Sequence, residues 1–241
     1  MKNDLKISKN YTIYVNKKSK FKIIPNYMKT IKIISIAIIW LIILWYLFYI
    51  FWFLRNPQRP QINDNSNFIS PANWKIVQIL KRDQQEIPVI KKHYQAFKTF
   101  TDDVAQSGYL ISIMMTPLNV HYQRSPLSAK LIKQIHTPWK FLNAIKINQL
   151  NDIVFENERN EMLRETENWF KYKTIQIAWK LARRIVSMTS TWENKSQWDT
   201  IWLIKFGSQV TIILPHTNVD IMVKTWDIVI DGQTTIANIK Q

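Results

Sequence analysis

The chain is 241 residues long, 46% hydrophobic, and carries 33 lysines and arginines against 17 aspartates and glutamates, a formal net charge of +16. Its lack of cysteine excludes disulfides, thiolate metal sites and a cysteine nucleophile. Its three glycines, Gly108, Gly207 and Gly232, are too scattered for the clustered-glycine loops that cradle phosphates, so P-loop and Rossmann nucleotide sites are excluded.

Residues 1–30 form a basic tail in which Lys2, Lys6, Lys9, Lys17, Lys18, Lys20, Lys22 and Lys29 are set against Asp4 alone. Residues 33–54 then run without a charge, apolar or aromatic on every helical face except at Ser35. At about 1.5 Å per residue this run crosses a hydrocarbon core of roughly 30 Å. It predicts a transmembrane helix over residues 31–54, bounded by Ile33 and Leu54. Trp40, Trp45, Tyr49 and Trp52 load it with rings suited to the interface or to packing against other helices. The run is too long for a signal-peptide core and is followed by the sequence RNPQRP in place of a small-x-small cleavage site, so the anchor is expected to be retained. Lysines 17, 18, 20, 22, 29 and 32 on its amino side outnumber Arg55 and Arg59 on the other. The positive-inside rule then keeps the tail in the cytoplasm and sends the C-terminal domain to the periplasm or, in a mitochondrial inner membrane, to the intermembrane space.

Residues 55–72, rich in proline and amides, predict an extended linker. Residues 73–241 suffice for one domain with its own core. Trp74, Val77, Ile79 and Leu80 suggest a helix over 73–83, and Pro88 opens another to 106 with Tyr94, Phe97, Phe100 and Val104 as its buried stripe. A further helix is expected over 125–138, capped by Ser125 and ended by Pro138, and the acid-first stretch 157–172 suits a helix dipole. Residues 109–115 fit a strand or a buried helical turn equally, and residues 141–150 suggest a strand. Segments 174–188, 197–206, 209–214, 219–230 and 233–239 are rich in Ile, Val, Thr and Trp and read as an antiparallel meander, with Asp231-Gly232 as a two-residue hairpin. The fold class is α+β: a single N-terminal transmembrane helix followed by one domain of helices packed on a curved antiparallel sheet.

The chemistry-bearing residues are sparse. His93, His121, His136 and His216 lack metal-ligand spacing, and no metal, cofactor or catalytic residue is expected. Glu158, Glu161 and Glu165 share one face of the predicted 157–172 helix, as paired acid-base groups would, or as part of a salt-bridged surface with Arg159 and Arg164. No GxSxG or SxxK motif marks a nucleophilic serine. Trp179, Lys180, Arg183 and Arg184 form a candidate partner or anion surface. The eleven tryptophans exceed the needs of a core this size and point to a protein interface. Nucleic acid is not expected as a partner.

In the order of its elements, anchor 33–54, leading helices 73–106 and sheet 197–239, the chain resembles the bitopic inner-membrane components of type IV secretion and conjugation systems, the DotI/IcmL and TraM-like group. The resemblance implies a non-catalytic structural subunit of a membrane-spanning complex, oligomeric, held among other subunits and the lipid bilayer of the inner membrane. Two alternatives stay open. One is an accessory subunit of an organellar respiratory or ATP synthase complex, in keeping with scarce glycine and abundant Ile, Lys and Asn. The other is a membrane-tethered cell-envelope enzyme, in which the Glu158, Glu161 and Glu165 face or a histidine lines a pocket.

Overall fold

The computed structural model describes residues 11–14, 22–59, 65–82, 101–138, 158–178, 185–204 and 208–240. They belong to two compact units, Met1–Trp52 and Phe53–Gln241.

In the first unit β1 (Tyr11–Tyr14) pairs antiparallel with β2 (Lys22–Pro25), Tyr11 opposite Pro25. Helix α1 (Asn26–Leu47) follows at once and runs on as a π-helical turn, Phe48–Phe53. Its span Met28–Phe53 has a mean hydropathy of 2.6 and exposes its apolar side chains all round, Ile33, Trp40 and Trp45 among them. Water would penalise such a surface, whereas a bilayer solvates it, so the helix gives the chain its membrane association. Trp45 and Tyr49, one turn apart, stack with ring centroids 5.9 Å apart.

The second unit is built from short strands: β3 (Asn67–Ile69), β4 (Trp74–Arg82), β5 (Gly108–Met115), β6 (Tyr122–Arg124) and β7 (Ala129–Thr137). These are followed by β8 (Arg159–Glu165), β9 (Lys171–Ala178), β10 (Ile185–Ser187), β11 (Asn194–Lys195) and β12 (Thr200–Ile204). The last are β13 (Ser208–Pro215), β14 (Val219–Ile221), β15 (Ile228–Val229) and β16 (Thr235–Ile239). An antiparallel sheet of order β11-β7-β8-β9-β13-β5-β4-β15 forms the backbone of the unit, accompanied by two three-stranded sheets, β10-β12-β6 and β14-β16-β3. One contiguous core joins Ile76, Ile111, Ile113, Tyr172, Val210, Ile212 and Leu214 of the large sheet to Phe68, Val219, Ile236 and Ala237 of the β14-β16-β3 sheet. Leu131 and Met162 pack instead with Ile201 and Trp202 of β12. The β-branched residues along β5 and β13 suit these pleated, doubly covered strands.

The fold class stands as expected, α+β with one N-terminal apolar helix before an antiparallel sheet, but several elements differ. The helix expected over 73–83 is strand β4, that over 125–138 contains β6-to-β7 turn and strand β7, and that over 157–172 contains β8. In β4, Ile76, Val77, Ile79 and Leu80 satisfy both the helical and the strand period, and a bulge between Ile76 and Gln78 blurs the alternation. In β8, charged residues lie in the middle of a sheet, where neighbouring strands pair them. The carboxyl third is antiparallel but no meander: β13 inserts between β9 and β5, and Asp231-Gly232 links β15 to β16 in two different sheets. The stretches 88–100 and 141–150 lie outside the described residues.

Candidate functional site

The most unusual local geometry surrounds His121. Strand β5 ends at Met115, which pairs with Ser208 at the start of β13, and β6 begins at Tyr122, which pairs with Leu203 near the end of β12. The segment 116–121 therefore passes from the large sheet to the β10-β12-β6 sheet. The Ile204 amide donates to the His121 carbonyl at 3.4 Å, which holds His121 beside the end of β12, four residues before Ser208 in the chain.

The segment from Thr116 to His121 is braced internally. Asn119 Oδ1 accepts from the Thr116 amide at 2.8 Å and from its hydroxyl at 2.7 Å, while the Asn119 amide returns a bond to the Thr116 carbonyl at 3.0 Å. The Asn119 carbonyl lies 2.9 Å from His121 Nδ1. A carbonyl only accepts, so Nδ1 carries the proton and Nε2 the lone pair. His121 is buried, and Nε2 has no hydrogen-bond partner among the described residues. Burial pushes its pKa down to about 4, with the nearby Arg55 cation acting in the same direction against the backbone bond to Asn119. The result is a neutral imidazole at physiological pH whose Nε2 lone pair is free to accept a proton from a reacting group.

The segment after the apolar helix is fastened over this site. Phe53 lies on the His121 ring, centroids 4.2 Å apart, and Arg55 Nη2 donates to the Leu118 carbonyl at 2.7 Å. Arg124, three residues past His121, donates through Nη2 to Asn56 Oδ1 and the Pro57 carbonyl, and through Nη1 to the Trp198 carbonyl. Its Nε meets Asp231 Oδ2 at 3.0 Å, and Arg59 Nη2 and Asn73 Nδ2 reach the other carboxylate oxygen at 2.8 and 3.0 Å. The Asp231 side chain is completely buried, so these partners replace its hydration. From Gln123 a buried amide relay leads outward across the sheet: Gln176 Nε2 donates to Gln123 Oε1 at 2.6 Å, Asn160 to Gln176, and Gln134 to Asn160. Residues 53–59, β6 and the 231 turn are thereby locked into one rigid frame around the histidine.

The other candidates do not converge here. Glu158 meets His136 at 3.6 Å, Glu161 pairs with Arg159 and Lys173, and Glu165 with Lys171. Spaced three apart in an extended chain, Glu158 and Glu161 project to opposite sides. His216 stacks edge-on with Tyr109 beyond the far end of β13. Leu54 closes the turn after the π-helix, whereas His93, Trp179, Lys180, Arg183 and Arg184 lie outside the described residues. Among the described residues no His, Cys, Asp and Glu cluster could hold a metal ion. A surface cavity of about 700 Å³, lined by Glu165, Lys171, Pro215 and Lys240, sits at the opposite end of β13 from Ser208. Spacing rules single out none of the four histidines, because what sets His121 apart is burial and a backbone bond that only the fold creates.

Comparison with known proteins identifies a family. A family model described as phosphatidylserine decarboxylase matches residues 47–237. A phosphatidylserine decarboxylase proenzyme of Pelobacter propionicus is 30% identical over 188 residues, 78% of this chain and 76% of that one. A protein of Methanothermobacter thermautotrophicus named as an archaetidylserine decarboxylase proenzyme is 32% identical over 189 residues, 77% of this chain and 78% of that one. A phosphatidylserine decarboxylase proenzyme of Magnetococcus marinus is 30% identical over 189 residues, with 78% and 77% covered. These matches overturn the resemblance to type IV secretion and conjugation components, which rested on element order alone. They also overturn the expectations of a non-catalytic structural subunit, of partner subunits and of an absent enzymatic role. Of the expected partners, the lipid bilayer is the one in keeping with them.

Proposed function

The chain belongs to the phosphatidylserine decarboxylase family, and from that premise we propose that it is a membrane-attached decarboxylase of a serine phospholipid, made as a proenzyme and activated by cleavage at the 207–208 junction. The observation that carries this reading is His121: a buried, neutral base with a bare Nε2, held beside the end of β12, four residues before Ser208.

The chemistry follows from what the substrate must lose. Departure of CO2 from a serine headgroup leaves an electron pair on the carbon bearing the amine, and no ordinary side chain accepts it. A carbonyl that condenses with the amine does. The relatives' designation as proenzymes supports a chain that makes its active form by processing. At a Gly-Ser junction, attack of serine oxygen on the preceding carbonyl converts the amide to an ester, with a base taking the hydroxyl proton. Elimination then releases the upstream chain as a carboxylate, and water displaces ammonia to leave a ketone, a pyruvoyl group, at the new terminus. His121 suits the proton transfers because its Nε2 is deprotonated and its tautomer is fixed by Asn119. Among the described residues the Nε2 atoms of His121 and Gln123 and the Nε1 of Trp202, which pairs with Gln123, are buried without partners, as a site awaiting a reacting group would show.

Phe53, the first residue of the second unit, covers His121, and the apolar helix of the first unit supports a substrate that resides in a bilayer. The lysines between residues 17 and 32 support an orientation with the tail cytoplasmic and the domain on the other face. Phosphatidylserine and archaetidylserine share the headgroup on which this chemistry acts. His121→Ala is expected to fold yet remain an uncut chain without CO2 release. A cut chain in that variant, at the wild-type rate, would remove His121 from the mechanism.

A further inference from the structure

Five tryptophans sit where the backbone asks for glycine. Among the described residues the non-glycine positions with left-handed φ are Trp74 (119°), Trp169 (61°), Trp192 (73°), Trp198 (71°), Asn218 (63°) and Trp226 (80°). Asparagine tolerates this region, and Gly232 at 68° shows a glycine in the same role. A bulky residue there is a rare outlier. Five, all of one residue type, are not random strain.

The turns say the same. In Ser190–Glu193, Ser196–Asp199 and Lys224–Asp227 the fourth amide bonds back to the first carbonyl at 3.1, 3.1 and 3.2 Å. In each, the fourth residue's carboxylate accepts from the first amide at 2.7–2.8 Å. In each, the third residue is tryptophan with positive φ, the position that a type II turn reserves for glycine. In the hairpin between β8 and β9, the Trp169 amide bonds to the Thr166 carbonyl and the Thr166 amide to that of Phe170. Trp169 there occupies the left-handed position that closes a three-residue loop, again a glycine position. Burial does not hold three of the five rings: Trp169, Trp192 and Trp226 are 80, 64 and 66% exposed. Composition agrees, because the chain has 3 glycines and 11 tryptophans, against roughly 17 glycines in an average chain of this length.

We infer that positions 74, 169, 192, 198 and 226 carry glycine in the protein as its own cell makes it, the codon given as tryptophan in this sequence being decoded there as glycine. The assignment is independent of the reaction performed. It bears on the site at two places: position 74 adjoins Asn73, a ligand of Asp231, and the carbonyl of residue 198 accepts from Arg124. Trp198 differs from the exposed three in that its ring is buried and its Nε1 donates to the Gly232 carbonyl at 2.6 Å.

Peptide mass spectrometry of the protein purified from its own cells decides the matter. Peptides spanning these positions are expected to weigh less by the tryptophan-to-glycine difference at each, and intact tryptophan there would overturn the inference. Recombinant chains give a second measurement. Relative to the sequence as written, the combined W74G, W169G, W192G, W198G and W226G chain is expected to gain about 3 °C in Tm per site, or to fold where the other does not. An unchanged or lower Tm would contradict it.

Discussion

At the residue scale, His121 concentrates the account. Its folded pKa of about 4 lies below the ordinary histidine value of 6.5. The unfolded chain thus binds more protons between those two values, and stability falls as pH drops through that window. The full displacement corresponds to about 3 kcal/mol, lost between roughly pH 6.5 and 4 and absent in His121→Phe. Denaturant melts across pH 4–8 measure it. The same displacement predicts processing that stays flat from pH 8 to 5 and falls below, with a midpoint near 4. A midpoint near 6.5 would show that the histidine is not buried as described. Asp231 is the second decisive residue. With Arg59, Arg124 and Asn73 on one buried carboxylate, Asp231→Asn leaves two guanidinium groups short of charge and is expected to destabilise the fold by about 3–5 kcal/mol. Gly232 is restricted for a different reason: a Cβ there would lie 2.8 Å from Arg124 Cδ at a φ of 68°.

At the scale of elements, the strands are ordinary where both faces are covered. Ile212 in β13 is fully buried between β9 and β5, so Ile212→Ala is expected to cost about 2–5 kcal/mol in chemical denaturation. The sequence made the apolar helix legible because a run without charge has no other stable place, and it made β9, β10, β12 and β13 legible through Ile, Val and Thr content. Strand β8 was illegible for a physical reason. Arg159, Glu161, Arg164 and Glu165 look solvated in sequence, but the sheet pairs Glu161 with Lys173 and Arg159, and Asn160 with Gln176. Tertiary partners had overridden local polarity there. The histidine site was equally hidden, since nothing in the residues from Thr116 to Arg124 announces that Asn119 will cap its own turn and orient His121.

At the scale of the whole molecule, an apolar helix and a compact sheet unit divide the labour of attachment and chemistry. Retention in membranes of the fragment that carries the apolar helix, after alkaline carbonate washing, is the expected outcome, and its release would argue against a spanning helix. The central claim is that the chain cuts itself beside His121 and then decarboxylates a serine phospholipid. The most direct measurement is to incubate the protein, purified from its own cells, with phosphatidylserine vesicles and follow both fragment masses and CO2. Two fragments meeting at the 207–208 junction are expected, with CO2 released in step with an ethanolamine headgroup. An intact chain that releases no CO2 would contradict it.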